Sequence, residues 1–239
     1  MKYMGSKNRI AKHLLPIILK DRKEGQWYVE PFVGGANMID KVEGNRIGAD
    51  SNQHLISALK LVRDNPESIP LNNSEFTRAD YEDAKKKHFS QLTQLECLML
   101  FALSFSAMFG SSFAVGRARE DFVRAAKGNA TKQSPKIQGV NFIDCGYRYL
   151  DLPTKSIVYC DPPYAKTTGY KGSDFNHTEF WQKCRDWCAS GHQVFISEYA
   201  APDDFACVWK KEISVSVAKS GKGKKGVEKL FVHKSQLNH

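Results

Sequence analysis

Short apolar runs alternate with amphipathic stretches along most of the chain, and their spacing switches between that of a strand and that of a helix. From Arg9 to Leu19 the apolar residues gather on one face, which predicts a first helix. Trp27 to Ala36 is β-rich, closes in a glycine turn at Gly34-Gly35 and leads into another helix. A strand over Arg46–Ala49 ends in Asp50-Ser51-Asn52, followed by a helix from Asn52 to Leu61. The β-α rhythm then breaks. Glu75 to Phe89 predicts a charged helix, Leu92 to Phe109 an apolar one, and Gly110 to Pro135 a glycine-dotted basic segment. Strands resume at Val140–Asp144 and Ser156–Cys160. Thr167 to Phe175 is a polar, aromatic loop, Thr178 to Ala189 a helix closed by Ser190-Gly191, and Gln193–Ser197 a buried strand. Val208–Val217 and Val227–Val232 alternate like hairpin arms around the tip Ala218–Gly226. No internal repeat is present.

These elements predict an α/β fold: a mostly parallel sheet with a C-terminal antiparallel hairpin, formed by residues 1–64 and 136–239, and a mainly helical insertion over 65–135. At 41% hydrophobic residues the chain has enough apolar surface for a sizeable core. Lysine and arginine number 35 against 26 acids, a formal charge of +9, which points to an anionic partner such as nucleic acid. The six cysteines form no CxxC pair and no zinc-type spacing, and read as reduced thiols. Cys184 and Cys188 share a helix face without making a metal site. Lys12 and His13 interrupt the first apolar run, so no secretory signal is read there. Glu96, Gln94 and several serines exclude a membrane span over Leu92–Val115. A soluble, intracellular protein is expected.

Candidate chemistry concentrates where strands end. Val158-Tyr159-Cys160 runs into Asp161-Pro162-Pro163-Tyr164, and two consecutive prolines cannot continue a central strand. They make a stiff ledge carrying an acid and an aromatic ring at the carboxyl edge of the sheet, where open α/β sheets bind ligands. A turn acid capping a loop is the plainer reading of Asp161. The turn at Gly34-Gly35 lets backbone approach a ligand, and Asp50 follows at the spacing of the acid that accepts ribose hydroxyls in nucleotide-binding units. A helix N-cap is the alternative role for Asp50. Gly5-Ser6-Lys7 lacks the spacing of a phosphate-binding loop. Arg117, Arg119, Arg124, Lys127 and Lys132, with Phe113 and Phe122 nearby, suit contacts with phosphates and bases, or a solvated loop. Lys219, Lys222, Lys224 and Lys225 make the hairpin tip a cationic surface that fits a phosphate backbone.

Taken together, these motifs resemble the Dam-like DNA adenine-N6 methyltransferases, over nearly the whole chain except the insertion. The family's aromatic-x-Gly-x-Lys opening is matched by Tyr3, Gly5 and Lys7, and its Glu-Pro-Phe-x-Gly turn by Glu30, Pro31, Phe32 and Gly34. Its Asp-x-Asn is matched by Asp50 and Asn52, and its Asp-Pro-Pro-Tyr letter for letter at 161–164. The chain departs from the family at Ala36, where many relatives have glycine and where the extra glycine here is shifted to Gly35. The insertion does not reproduce the expected base-reading segments.

The resemblance implies a Rossmann-like methyltransferase sheet, S-adenosyl-L-methionine as methyl donor, double-stranded DNA as partner, no metal, a monomer, and the cytoplasm of a bacterial or phage-infected cell. It assigns the cofactor to Tyr3, Lys7, Glu30, Phe32, Gly34, Gly35, Asp50, Asn52 and Asp161, with Phe142 for stacking on its adenine and Asp144 for a hydrogen bond. Asp161, Pro162, Pro163 and Tyr164 become the catalytic ledge, where a flipped-out adenine receives the methyl group. Glu198 and Tyr199, after the fifth strand, become walls of the same crevice. Methylation of cytosine N4, or DNA binding without turnover, are the competing functions.

Overall fold

The structure, a computed structural model, describes residues 1–114, 120–164, 175–215 and 224–238; for 213–215, 224, 225 and 238 it describes only the backbone. Seven strands form one sheet: β1 (Tyr28–Glu30), β2 (Arg46–Asp50), β3 (Val140–Asp144), β4 (Ile157–Cys160), β5 (Gln193–Ser197), β6 (Phe205–Val215) and β7 (Lys224–His233). Their order is β3-β2-β1-β4-β5-β7-β6. The first five are parallel, and β7 and β6 add antiparallel at one side. The central strands β1 and β4 are buried at every position, as near-continuous apolar runs in parallel sheets should be. The chain moves outward from β1 through β2 to β3, then returns to the opposite side of β1 at β4. The strand order therefore reverses between β1 and β4, the place beyond whose carboxyl ends open α/β sheets bind ligands.

Among the helices are α1 (Ala11–Ile18), α2 (Gln53–Asp64), α3 (Arg78–Lys86), α4 (Gln94–Ala102), α5 (Phe122–Gln133) and α6 (His177–Ala189). Their starts follow side-chain capping chemistry: Asn52 caps α2, and Thr77 with Asp80 and Thr93 with Glu96 form capping boxes on α3 and α4. One core cluster joins residues of α1 and α2, of α3 to α5 and of the sheet, including Leu14, Leu59, Tyr81, Leu98, Val123 and Tyr159. The insertion therefore shares the core of the sheet. A second cluster packs Phe180, Trp181, Cys184 and Trp187 of α6 against Val158, Val194 and Phe231.

Three predicted elements change. No helix follows the glycine turn: only a 3-10 turn at Ile39–Lys41 forms, because Gly34 and Ala36 hold φ of +49° and +57°, outside the helical region. The apolar helix ends at Ala102, short of Phe109. Beyond it Ser106 and Ala107 take φ of +58° and +54°, and the Phe105 amide donates back to the Ser112 carbonyl at 2.8 Å. The basic segment, for which a solvated loop is one of the two readings, contains α5, started by the Asp121 side chain accepting from the Arg124 amide at 2.8 Å.

Arg46 braces the sheet where the insertion rejoins it. Its guanidinium is buried and donates to the carbonyls of Gly44, Ile39, Lys136 and Gln138 at 3.2, 3.3, 2.8 and 2.6 Å. Arg46→Met keeps the apolar stem and strips these carbonyls of their donor, so it should cost about 2–3 kcal/mol. Urea unfolding reads this as a lower midpoint at unchanged slope. A change under about 0.5 kcal/mol would remove Arg46 from the brace.

Candidate active site

Four neighbouring parallel strands reach an acid at the same edge of the sheet. Glu30 ends β1, Asp50 ends β2, Asp144 ends β3, and Asp161 follows the last residue of β4. Asp50 and Asp144 are register partners. The backbone fixes the Asp50 carboxylate: it accepts from the Gly34 amide at 3.2 Å and the Asn52 amide at 3.0 Å. Asn52 itself is the cap of α2, accepting from the amides of His54 and Leu55 at 3.1 and 3.3 Å. The N-cap role considered for Asp50 therefore falls to Asn52.

The glycine turn is enclosed by residues distant in sequence. A Cβ on Gly35 would lie 2.8 Å from the Met1 carbonyl oxygen and 2.8 Å from Tyr3 Cβ, so no side chain fits there. A Cβ on Gly34 would lie 3.2 Å from the Tyr3 ring. Gln133, at the end of α5, donates to the carbonyls of Gly35 and Ala36 at 3.0 and 3.2 Å. Tyr3 also meets Phe101 of α4 edge-on, with centroids 5.8 Å apart. Beneath the turn Glu30 is buried and accepts from the Tyr28 hydroxyl at 2.9 Å. Burial pushes the Glu30 carboxyl well above the ordinary range, with the Tyr28 bond opposing.

Lys7 brings the opening segment to the proline ledge. Its ammonium lies 3.0 Å from Asp161 Oδ1, 3.9 Å from Glu228 Oε2 of β7, and 4.6 Å from the centre of the Tyr164 ring. The Tyr164 hydroxyl donates to Glu228 Oε2 at 2.7 Å, and Tyr199 meets the ring edge-on at 4.7 Å. Burial pushes the Asp161 carboxyl up, and the Lys7 charge pulls it partly back. Burial works against the Lys7 ammonium, but Asp161 and then Glu228 outweigh it and hold its pKa above the ordinary value. The result is an acidic acceptor and an aromatic ring on a stiff backbone, next to a buried cation.

Of the predicted residues, Tyr3, Lys7, Gly34, Gly35, Asp50 and Asp161–Tyr164 converge on this edge, and Asp144 lies exposed beside Asp50. Phe32 turns toward Tyr147, Phe175 and Phe180, with centroids at 5.4, 5.9 and 5.7 Å. Phe142 is a correction: it is buried at 3% exposure against Gly48 with Arg63 over its ring, and presents no face for stacking on a ligand. The Lys127 ammonium donates to the carbonyls of Pro66 and Glu67 at 2.9 and 2.7 Å and ties α5 to the turn after α2. Arg124 is exposed. Arg117, Arg119, Lys219 and Lys222 lie outside the described residues, as do the side chains of Lys224 and Lys225. Tyr199 meets the Tyr164 ring, and Glu198 is buried and accepts from the Tyr199 amide at 2.7 Å. Glu228 was not anticipated. Its signal was an acid at period two with Leu230 and Val232, a position where a buried apolar residue belongs. Among the described residues no cluster of His, Cys, Asp or Glu could hold a metal, and no helix is long and apolar enough to cross a membrane.

A family model described as D12 class N6 adenine-specific DNA methyltransferase matches residues 3–216. The modification methylase StsI of Streptococcus sanguinis is 26% identical over 206 residues, covering 74% of this chain and 31% of that protein. This chain thus spans about a third of that relative's length. The DNA adenine methylase of Vibrio cholerae serotype O1 is 24% identical over 262 residues, covering 100% of this chain and 86% of that protein.

The buried acids make stability depend on pH. Burial raises the Asp50 carboxyl from 3.8 to about 6, although the Asn52 and Gly34 amides pull it down. The unfolded chain loses this proton near pH 4 and the folded chain near pH 6, so stability falls as pH rises through that window, by at most ~3 kcal/mol from this group. Asp50→Asn should remove that part of the slope. Parallel stability profiles for variant and parent between pH 4 and 6 would contradict the assignment.

Proposed function

Because this chain belongs to the D12 class N6 adenine-specific DNA methyltransferases, we propose that it transfers a methyl group from S-adenosyl-L-methionine to the N6 amino group of adenine in double-stranded DNA. The observation that carries this reading is the pair formed by the Asp161-Pro162-Pro163-Tyr164 ledge and the Gly34-Gly35 turn with Asp50, side by side at the reversal of strand order. The residues suit the methyl donor. Asp50 is an acceptor for ribose hydroxyls, the glycine turn leaves backbone near the ligand, Asp144 is exposed at the neighbouring strand end, and the acidic edge favours a cation. Bound there, S-adenosyl-L-methionine would supply an electrophilic methyl group on a positively charged sulfur.

The protein's part in the reaction follows from the acceptor's chemistry. An adenine amino group is a weak nucleophile because its lone pair is delocalised into the ring. Asp161 and the Pro162 carbonyl accept its two hydrogens, favour a tetrahedral nitrogen, and stabilise the positive charge that grows on it. Tyr164 stacks on the base, which is flipped out of the duplex at a cost of roughly a few kcal/mol. The prolines keep acceptors and ring in fixed register, and holding the reactants in line removes several kcal/mol more from the barrier. After transfer the surplus proton leaves the nitrogen to Asp161 or to water.

The insertion, residues 65–135, is assigned to target recognition, and the basic residues at 117–124 and in the hairpin tip to phosphate contacts. The protein acts as a monomer in the cytoplasm of a bacterial or phage-infected cell. Incubation with methyl-labelled S-adenosyl-L-methionine and unmethylated duplex DNA should place the label in N6-methyladenine, read by nucleoside analysis. Asp161→Ala should lower the rate about a hundredfold or more, as loss of a group that stabilises transition-state charge does. Absence of label in adenine at saturating donor and DNA would sink the proposal.

A further inference from the structure

We infer that Glu228, on strand β7, is a positioning residue for this reaction: its carboxylate holds the Tyr164 ring in the orientation that receives the flipped adenine. The inference rests on the function proposed above and assigns a role to a strand outside the family motifs. Glu228 is 6% exposed, on the same face of β7 as Leu230 and Val232 at 0% and 4%. An acid in such a row is retained against the cost of burial only where it has polar work to do. Here it accepts the Tyr164 hydroxyl at 2.7 Å and lies 3.9 Å from the Lys7 ammonium.

The geometry explains why an anchor is needed. Pro162 and Pro163 stiffen the backbone before Tyr164 but leave the two side-chain torsions of the tyrosine free. Stacking on a base requires one ring plane. Among the described residues Glu228 holds the hydroxyl, which Asp161 also engages, Tyr199 lies edge-on at 4.7 Å and 85°, and the Lys7 ammonium is 4.6 Å from the ring centre. Of these only Glu228 reaches the ring from the antiparallel part of the sheet. It therefore links the ledge after β4 to β7, two strands away in the sheet order.

Steady-state kinetics on the full-length protein with labelled S-adenosyl-L-methionine and unmethylated duplex DNA tests this. Glu228→Ala and Tyr164→Phe each remove one partner of the hydrogen bond. Each should lower kcat about tenfold while KM for the methyl donor stays within twofold. The double variant should be no slower than Tyr164→Phe alone, because that substitution already removes the hydroxyl that Glu228 holds. Glu228→Gln keeps an acceptor and should recover most of the loss. Additive losses in the double variant, a Glu228→Gln rate as low as that of Glu228→Ala, or a parental rate for Tyr164→Phe would each overturn the inference. Tyr164→Phe leaves β7 untouched, so this last outcome decides even if Glu228→Ala fails to fold. An inactive parent would instead refute the function proposed above.

Discussion

The ion pair between Lys7 and Asp161 closes the candidate site, and almost everything around it depends on what brings the two together. Lys7 belongs to a short segment that begins on the glycine turn after β1 and ends on the ledge after β4. Those two places are neighbours only because the chain, having laid down β2 and β3 on one side of β1, places β4 on the other. The crossing makes one crevice of two separate strand ends, and the opening segment spans it. Tyr3 lies on Gly34 and Gly35 while Lys7 reaches Asp161. A cation here has two effects. It favours the charged form of a carboxylate that burial disfavours, and it covers one side of the Tyr164 ring.

The insertion supports the same place from behind. Gln133 of α5 bonds the carbonyls of the glycine turn, Phe101 of α4 packs against Tyr3, and Lys127 of α5 caps carbonyls that follow α2. Gln133 thereby satisfies the Ala36 carbonyl and, with the Met1 amino group, the Gly35 carbonyl, which a turn without a following helix leaves without helical partners. The segment read as separate from the sheet's own unit is thus part of the wall that shapes its edge. His54, two residues after the Asn52 cap, stacks on Phe109 at 4.1 Å and so connects the acid at the end of β2 to the turn after α4.

What was legible in the sequence was set by range. Strands β2, β4 and β5 are short apolar runs with polar or proline-bearing ends, β3 alternates around the exposed Asn141, and all four lie where that pattern puts them. The ledge was legible because two adjacent prolines carry their own conformational restriction. Features that arise from distant contacts were not. Leu92 to Phe109 is apolar enough for one long helix, but a reversal held by Tyr81 and Ser104, at 2.7 Å, ends it early. Phe142 suits a stacking ring by type, yet Gly48 of the neighbouring strand opens a slot that buries it. Glu228 lies 64 residues from the tyrosine it holds, so no local pattern announces the pair.

The departure from the family pattern at Ala36 shows why a motif has to be read through its geometry. A glycine can serve a turn by adopting positive φ or by leaving room for a close approach, and these needs separate here. Gly34 has φ of +49°, with the Tyr3 ring close above it. Gly35 is required for space, since a Cβ there would meet the Met1 carbonyl and Tyr3. Ala36 carries the second left-handed conformation, φ +57°, at a cost of roughly 1–2 kcal/mol. Its methyl group is fully buried in the main core, and its carbonyl accepts from Gln133, so contacts made elsewhere hold it there. Placing the glycine one position earlier lets the opening segment press directly onto the turn, and that close packing carries Lys7 within reach of Asp161.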